Sequence, residues 1–428
     1  MATSSTGNKL PNINGLQDAK PRHSLGYRVQ HHVRTTVAAA IAIIDPNSGK
    51  PIEFVLIGQD SRDGAENQAI GGSFDDVIGN HQADTAMIVQ ISADRTEINL
   101  VSIPRDSLVD VPQCETSKGT IPAQYNVMFN SIFAGAYKTG GDLSSAASCT
   151  LNAVNSLTGL NIQNFIVVDF AGLVKMIDSV GGVDLCIPQN VNDPYTGLNL
   201  DKGMHHLDGV AATQYARIRH GIGDGSDTSR TTRQQYLIKQ LMSEALSKNL
   251  FTDTAQLYQL AKSALKSLNI SQGMADTAAL AGLAMSLKNF TMTNLQTQTV
   301  PVVPAPSDPN RSVWTDEADN LWEKMRAGKP IFDTADSNSG ASSDTSSDNS
   351  ASSDDSGTTD SNQSDTTAET PDPVTGLITK SDGTLVDPST GGTVDPDDGS
   401  IHDATTGQYI GLADRYLNAT VCAVPAKN

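Results

Sequence analysis

Arginines 217, 219, 230 and 233 fall within seventeen residues of the stretch YARIRHGIGDGSDTSRTTRQQY, which holds two aspartates and no lysine. Like charges this close repel one another unless an anion lies among them. Forked, permanently charged guanidinium groups suit phosphate oxygens, which lysine engages only as a point charge. In ARIR the two arginines are two apart, so a strand there would turn both to one face and Ile218 to the core. Arg230, Arg233 and Gln234 are three and four apart and share a face on a helix. The first turn of such a helix adds unpaired N–H donors and a dipole that favour an anion.

Two other motifs bring charge toward the same place. PIEFVLIG (51–58) is a short, β-rich apolar run closed by glycine and reads as a buried strand, with Asp60 and Arg62 just past its end. TAMIVQIS (85–92) and EINLVSIP (97–104) flank the turn ADRT and read as a hairpin, with Asp84 at its entrance and Arg105-Asp106 at its exit. All these groups then meet outside strand ends, where open α/β sheets bind ligands. Six of the chain's 13 arginines lie in these motifs, faced only by Asp60, Asp84, Asp106 and Asp227. The surplus positive charge points to a di-anionic ligand. Asp60 and Asp84 together suit a hard cation such as magnesium, which takes one or two carboxylates plus phosphate oxygens. The plainer alternative is a set of ion pairs on a solvated face. Nucleic acid is excluded as a partner, because there is no extended basic surface and no interleaved aromatic residue.

The elements that must position these groups alternate between strand and helix. Helices are expected at 123–138 and 144–158, a buried strand at NFIVVDF (164–170), a helix at AGLVKMIDSVGG and a strand at VDLCIP. A helix should open near Asp208 and give way to a short strand at ARIR. From Thr231 a long helix places Leu237, Ile238, Leu241, Met242 and Ala245 on one face. This is an α/β fold with a mixed central sheet flanked by helices, an α-β-α sandwich spanning residues 46–332.

The net charge of −19 misleads about this domain. Residues 330–428 carry 17 acidic side chains against Lys380, Arg415 and Lys427, leaving 31 acids and 26 bases elsewhere. Residues 333–372 are a Ser/Asp/Thr/Asn run without a base and read as a solvated, disordered linker. Residues 373–428 read as a loose, turn-rich tail. At the other end, residues 1–45 carry the basic flank HSLGYRVQHHVR before VAAAIAII (37–44). Eight apolar residues fall short of the roughly 20 that span a bilayer, so the segment reads as a shortened membrane anchor, or else as an ordinary strand. Cys114, Cys149, Cys186 and Cys422 have no zinc-site spacing. By themselves they fit disulfides or buried thiols equally.

SIPRD, HHLDG, YARIR and DTSRTTRQQ, in this order and with DSR, ADT and GGVDL, resemble the LytR-CpsA-Psr family over about residues 52–245. The resemblance implies a cell-envelope enzyme. Such an enzyme moves a glycopolymer from a membrane-borne polyprenyl-pyrophosphate carrier to a peptidoglycan hydroxyl, as a magnesium-dependent phosphotransferase with its domain outside the membrane. It implies Asp60 and Asp84 as magnesium ligands, and Arg62, Arg105, Arg217, Arg219, Arg230 and Gln234 as the pyrophosphate cradle. Asp227 then orients an arginine, and Asp106 or Asp227 takes the acceptor's proton. The prenyl chain would lie between the helices at 123–158 and 231–246. A pyrophosphatase or a non-catalytic lipid-binding module would use the same site. Two departures stand out. Met128-Phe129-Asn130 replaces the frequent Lys-x-Asn, and Asp227-Thr-Ser-Arg230 replaces Asp-Phe-Gly-Arg. The oxidising compartment that the resemblance implies favours disulfides Cys114–Cys149 and Cys186–Cys422, the second docking the tail; the alternative is a buried Cys186 thiol and a free Cys422.

Overall fold

The computed structural model describes residues 45–61, 65–71, 81–218, 222, 225–247, 253–332 and 370–423. The apolar run at 37–44, Arg62 and Arg219 lie outside the described residues. Among the described residues, no helix is long and apolar enough to cross a membrane.

The three apolar runs nearest the motifs form adjacent strands: β1 (Ile52–Asp60), β2 (Gln82–Ile91) and β3 (Ile98–Ile103). β2 pairs antiparallel with both neighbours, as its tight turn at 93–96 requires. Two crossovers complete the sheet. β4 (Asn164–Val168) runs parallel to β1, and β6 (Leu295–Thr299) parallel to β3. The two-residue β5 (Asn269–Ile270) closes the β4 edge.

Alternation divides the side chains between two cores. Val55, Ile57, Ile88, Val101 and Ile103 pack with Phe129, Phe133, Ala147, Val154 and Trp322 on one face. That face is covered by α1 (Phe129–Gly140), α2 (Leu143–Thr158) and a helix at Asp316–Arg326. Ile52, Met87, Val89, Ile98 and Leu100 point the other way. They meet Ile238 and Met242 of a long helix that carries part of the charged stretch. Between the cores' helices, α3 (Phe170–Ser179) follows β4, opened by Asp169, whose carboxylate accepts from Gly172 N–H at 2.8 Å. α4 (Gly209–Arg217) is opened in the same way by Asp208, and α5 spans Asp227–Ser247.

Four local expectations are corrected. Residues 124–128 form a strand, not the start of a helix, because they pair with Leu108–Val111 from outside the local window. Ala216 and Arg217 of ARIR are helical, not a strand. The α4 helix continues through Arg217, since Ala212, Tyr215 and Ala216 at helical spacing are all buried. Ile218 nevertheless enters the core. α5 begins at Asp227, four residues before Thr231, because Ser226 supplies its cap: Ser229 N–H donates to Ser226 Oγ at 3.1 Å.

The tail is the fourth. Residues 378–412 form a five-stranded antiparallel meander. Its turns repeat every eight residues. Asp387, Asp395 and Asp403 each accept from the N–H of the glycine four residues on, at 2.8–2.9 Å, and those glycines, Gly391, Gly399 and Gly407, have φ of 71–72°. Only glycine takes that conformation without strain. The turn N–H groups also bind the aspartate side chains. Backbone donation from Thr375 to Asp372 and from Thr406 to Asp403 holds both carboxyls below the usual range.

The last strand (Tyr409–Leu412) leads into residues that dock on α5. Lys239 pairs with Asp414 at 2.9 Å. The Tyr236 hydroxyl accepts from Cys186 N–H at 2.9 Å and donates to Asn418 Oδ1 at 2.6 Å. Disulfides join Cys114 to Cys149 and Cys186 to Cys422. The second bond closes 236 residues of sequence and sits fully inside a core with Leu185, Tyr215 and Leu417. Replacing Cys186 and Cys422 by serine should destabilise the chain by about 2–5 kcal/mol, measured by denaturant unfolding. With a protease site inserted near residue 350, the cut wild-type chain should stay one species on a non-reducing gel and split on reduction.

Candidate functional site

One irregularity sets the geometry of the charged edge. Gly58 pairs with Thr85 and Gln59 with Ala83, so Asp84 is an extra residue opposite β1. Ala83 and Ala86 consequently both lie in the far core, which strict alternation forbids. The bulge turns Asp84 to the same side as Thr85 and Asp60. Gly58 permits the close approach. A Cβ there would stand 2.9 Å from Thr85 Cβ.

These residues wall a cavity of about 400 Å³ between the sheet and α3, α4 and α5. Its charged and amide lining is Asp60, Asp84, Asp169, Asp193, Arg217, Arg230 and Gln234. Its apolar body is formed by Leu56, Met87, Leu173, Met176, Leu237 and Leu241. The helices at 129–158 belong to the opposite face of the sheet, so α3 takes the place expected for them beside the cavity.

Each charged side chain is held from behind. Arg217 ends α4, donates to Ile70 O at 3.1 Å and lies over the Phe170 ring at 4.1 Å. Arg230 bonds Asp227 one turn earlier and donates to Asp84 O at 3.3 Å. Gln234 accepts from Thr85 Oγ1 at 2.8 Å, which leaves its amide directed by the sheet. Arg105 does not wall the cavity. Its guanidinium pairs with Asp84 at 2.9 Å, Asp227 at 3.4 Å and Asp106 at 3.6 Å, and its backbone N–H donates to Asp227 Oδ2 at 3.0 Å. Burial opposes charge on Arg105, but the three carboxylates outweigh it and hold it more firmly protonated than usual. Burial pushes the Asp227 carboxyl up, against the pull of Arg230 and Arg105, and Asp106 adds to the rise.

Three sequence expectations change here. Arg233 shares no site with Arg230. It is buried, and its guanidinium binds Ser229 Oγ at 2.8 Å and the carbonyls of Ile222 and Ile218, so it pegs the chain between α4 and α5. Asp106 and Asp227 do not reach the cavity as bases. Asp106 is engaged by Arg105 and by Arg311 at 3.1 Å, and Asp227 by Arg105 and Arg230. Among the described residues the edge sets Arg105, Arg217, Arg230 and Arg311 against Asp60, Asp84, Asp106 and Asp227, with Asp169 also lining the cavity, so these residues carry no positive surplus. Sequence reasoning missed Arg311, which lies in no motif, and Phe170, which was assigned only to a buried strand. The Met128-Phe129-Asn130 departure sits directly behind this edge, with Asn130 N–H donating to Arg105 O at 3.1 Å.

Strand ends bearing Arg and Asp over an apolar trough define an α/β protein with a two-part cavity, charged at one end and apolar along its body. The chain belongs to the LytR_cpsA_psr family, whose model matches residues 19–327. It is 28% identical over 262 residues to the cell wall biosynthesis protein LcpA of Corynebacterium glutamicum, covering 58% of this chain and 50% of that one. It is 25% identical over 207 residues to a polyisoprenyl-teichoic acid–peptidoglycan teichoic acid transferase, TagU, of Enterococcus faecalis, covering 48% and 57%. The chain thus spans about half the length of these curated relatives. Protein gbs0355 from Streptococcus agalactiae shares the fold, with a TM-score of 0.50 at 18% identity over 65% of this chain and 88% of that one.

Removal of Arg105 strips three carboxylates of their common cation. Arg105→Ala should cost about 3 kcal/mol near neutral pH, the low end for a broken buried pair because Arg105 is part-exposed. The loss should shrink as pH falls, because protonation of Asp227, whose carboxyl burial pushes up, removes one of the charges that Arg105 offsets. Calorimetric melting of wild type and variant between pH 7.5 and 5 checks the sign.

Proposed function

We propose that this protein transfers a glycopolymer from a polyprenyl-pyrophosphate carrier to a peptidoglycan sugar hydroxyl at the cell envelope, forming a phosphodiester. The observation that carries this reading is the two-part cavity, whose guanidinium end and apolar body match a pyrophosphate head and a prenyl chain. In this reading Arg217, Arg230 and Gln234 hold phosphate oxygens, with Arg62 and Arg219 as further donors. Asp227 and Arg105 fix Arg230 and Asp84. The acceptor hydroxyl attacks the phosphorus that bears the glycopolymer, and polyprenyl phosphate departs. Such a reaction asks the protein for positioning and charge neutralisation more than for covalent help.

Magnesium fits the donor set. Asp60 and Asp84 both wall the charged end, and among the described residues no third metal-ligating side chain clusters with them. An ion held there would therefore complete its shell with phosphate oxygens. It would supply Lewis-acid neutralisation of the phosphate charge.

The test is transfer by the full chain with lipid-linked glycopolymer, magnesium and peptidoglycan. Polymer should become peptidoglycan-linked, whereas release at the same rate without peptidoglycan would identify a pyrophosphatase instead. Arg217→Ala should lower the rate by about 100-fold with the fold intact. Asp60→Asn and Asp84→Asn should each raise the magnesium concentration required, since an amide replaces an anionic ligand. Full activity in EDTA would overturn the metal assignment.

A further inference from the structure

Arg217 is held at the cavity by Ile70 and Phe170, and both contacts trace back to one buried amide. Its guanidinium donates to Ile70 O at 3.1 Å and lies over the Phe170 ring at 4.1 Å. Ile70 belongs to a seven-residue helix, Ala65–Gly71, and a helix that short has little stability of its own. Phe170 is the first residue of α3, far along the chain. Neither element alone fixes the gap into which the guanidinium fits. The pair Glu66–Lys175 joins the same two helices at 2.6 Å, but an exposed ion pair contributes little.

Asn67 spans that gap. It is 6% exposed and lies about one helical turn before Ile70. Its Nδ2 donates to Asp169 Oδ2 at 2.9 Å, and its Oδ1 accepts from Ala171 N–H at 2.8 Å. Asp169 and Ala171 are the two residues that flank Phe170. One amide thus grips the chain on both sides of the stacking ring, while its own helix carries the accepting carbonyl. An amide suits the task, because it donates to one flank and accepts from the other. We propose that Asn67 is a positioning residue for anion binding. It fixes the distance between the Ile70 carbonyl and the Phe170 ring, and so aims the Arg217 guanidinium at a ligand phosphate. This assignment rests on the lipid-pyrophosphate reading of the cavity.

The test is binding of farnesyl pyrophosphate, with magnesium, by the full chain. Asn67→Ala should weaken binding about tenfold. In an Arg217→Ala background the same change should weaken it by less than about twofold, because no guanidinium is left to aim. An equal loss in both backgrounds would show that Asn67 serves only the fold, and overturns the proposal. Unchanged binding by Asn67→Ala overturns it too. A second set of variants keeps the buried bond. Asn67→Asp alone sets two carboxylates together and should weaken binding by about tenfold or more. Adding Asp169→Asn returns the net charge to that of the wild type and remakes the bond with donor and acceptor exchanged, and should recover most of the loss. An exchanged pair that binds no better than Asn67→Asp also overturns the proposal. If wild type does not bind the probe, or Arg217→Ala binds it equally well, the lipid-pyrophosphate reading itself falls and takes this assignment with it, a result visible before any change at Asn67 is compared.

Discussion

Arg105 is the interaction on which the edge depends. It ties together three segments remote in sequence: the β2 bulge through Asp84, its own loop through Asp106, and the first turn of α5 through Asp227. The attachment to Asp227 is double, because the Arg105 backbone also donates to that carboxylate. A part-buried cation with three carboxylates is strongly held, and each carboxylate is costly without it. Arg230 then inherits its position from Asp227, and Asp84 is left with its remaining surface toward the cavity. The wall residues are therefore arranged by a charge that does not itself line the wall.

α5 carries two unrelated duties on opposite faces. Arg230, Gln234, Leu237 and Leu241 face the cavity, while Tyr236 and Lys239 hold the C-terminal meander. The Tyr236 hydroxyl is the hinge pin of this arrangement, accepting from the strand that bears Cys186 and donating to Asn418. Burial drives its ionisation well above the ordinary phenol range, so it stays a donor at any physiological pH. The meander thus steadies the helix that presents Arg230 and Gln234 to the cavity.

Much of this was legible in sequence, for definite reasons. β1 to β4 are apolar runs bounded by turn residues, and such runs have few other fates. The convergence of Asp60, Asp84 and Arg105 followed from strand direction alone. What was not legible is non-local. The strand at 124–128 exists because 108–111 lies beside it, and the Asp84 bulge leaves no mark in composition. Arg233 has the same spacing from Arg230 as a site residue would, but a pair of backbone carbonyls claims it. ARIR alternates as a strand would, yet the Asp208 cap had already committed Ala216 and Arg217 to a helix.

The eight-residue spacing of the meander's turns makes that element a modular ruler. The segment after its final strand carries the ion pair and the tyrosine hydrogen bond to α5, so strand-and-turn units could be added or deleted upstream with those two contacts kept. Each unit would shift the point where the chain enters by one strand spacing, about 4.8 Å. It would also flip the entry to the opposite end of the sheet, because successive strands run antiparallel. The parity of the repeat number therefore fixes the side from which the acidic linker must arrive, and its length fixes how far the linker must reach.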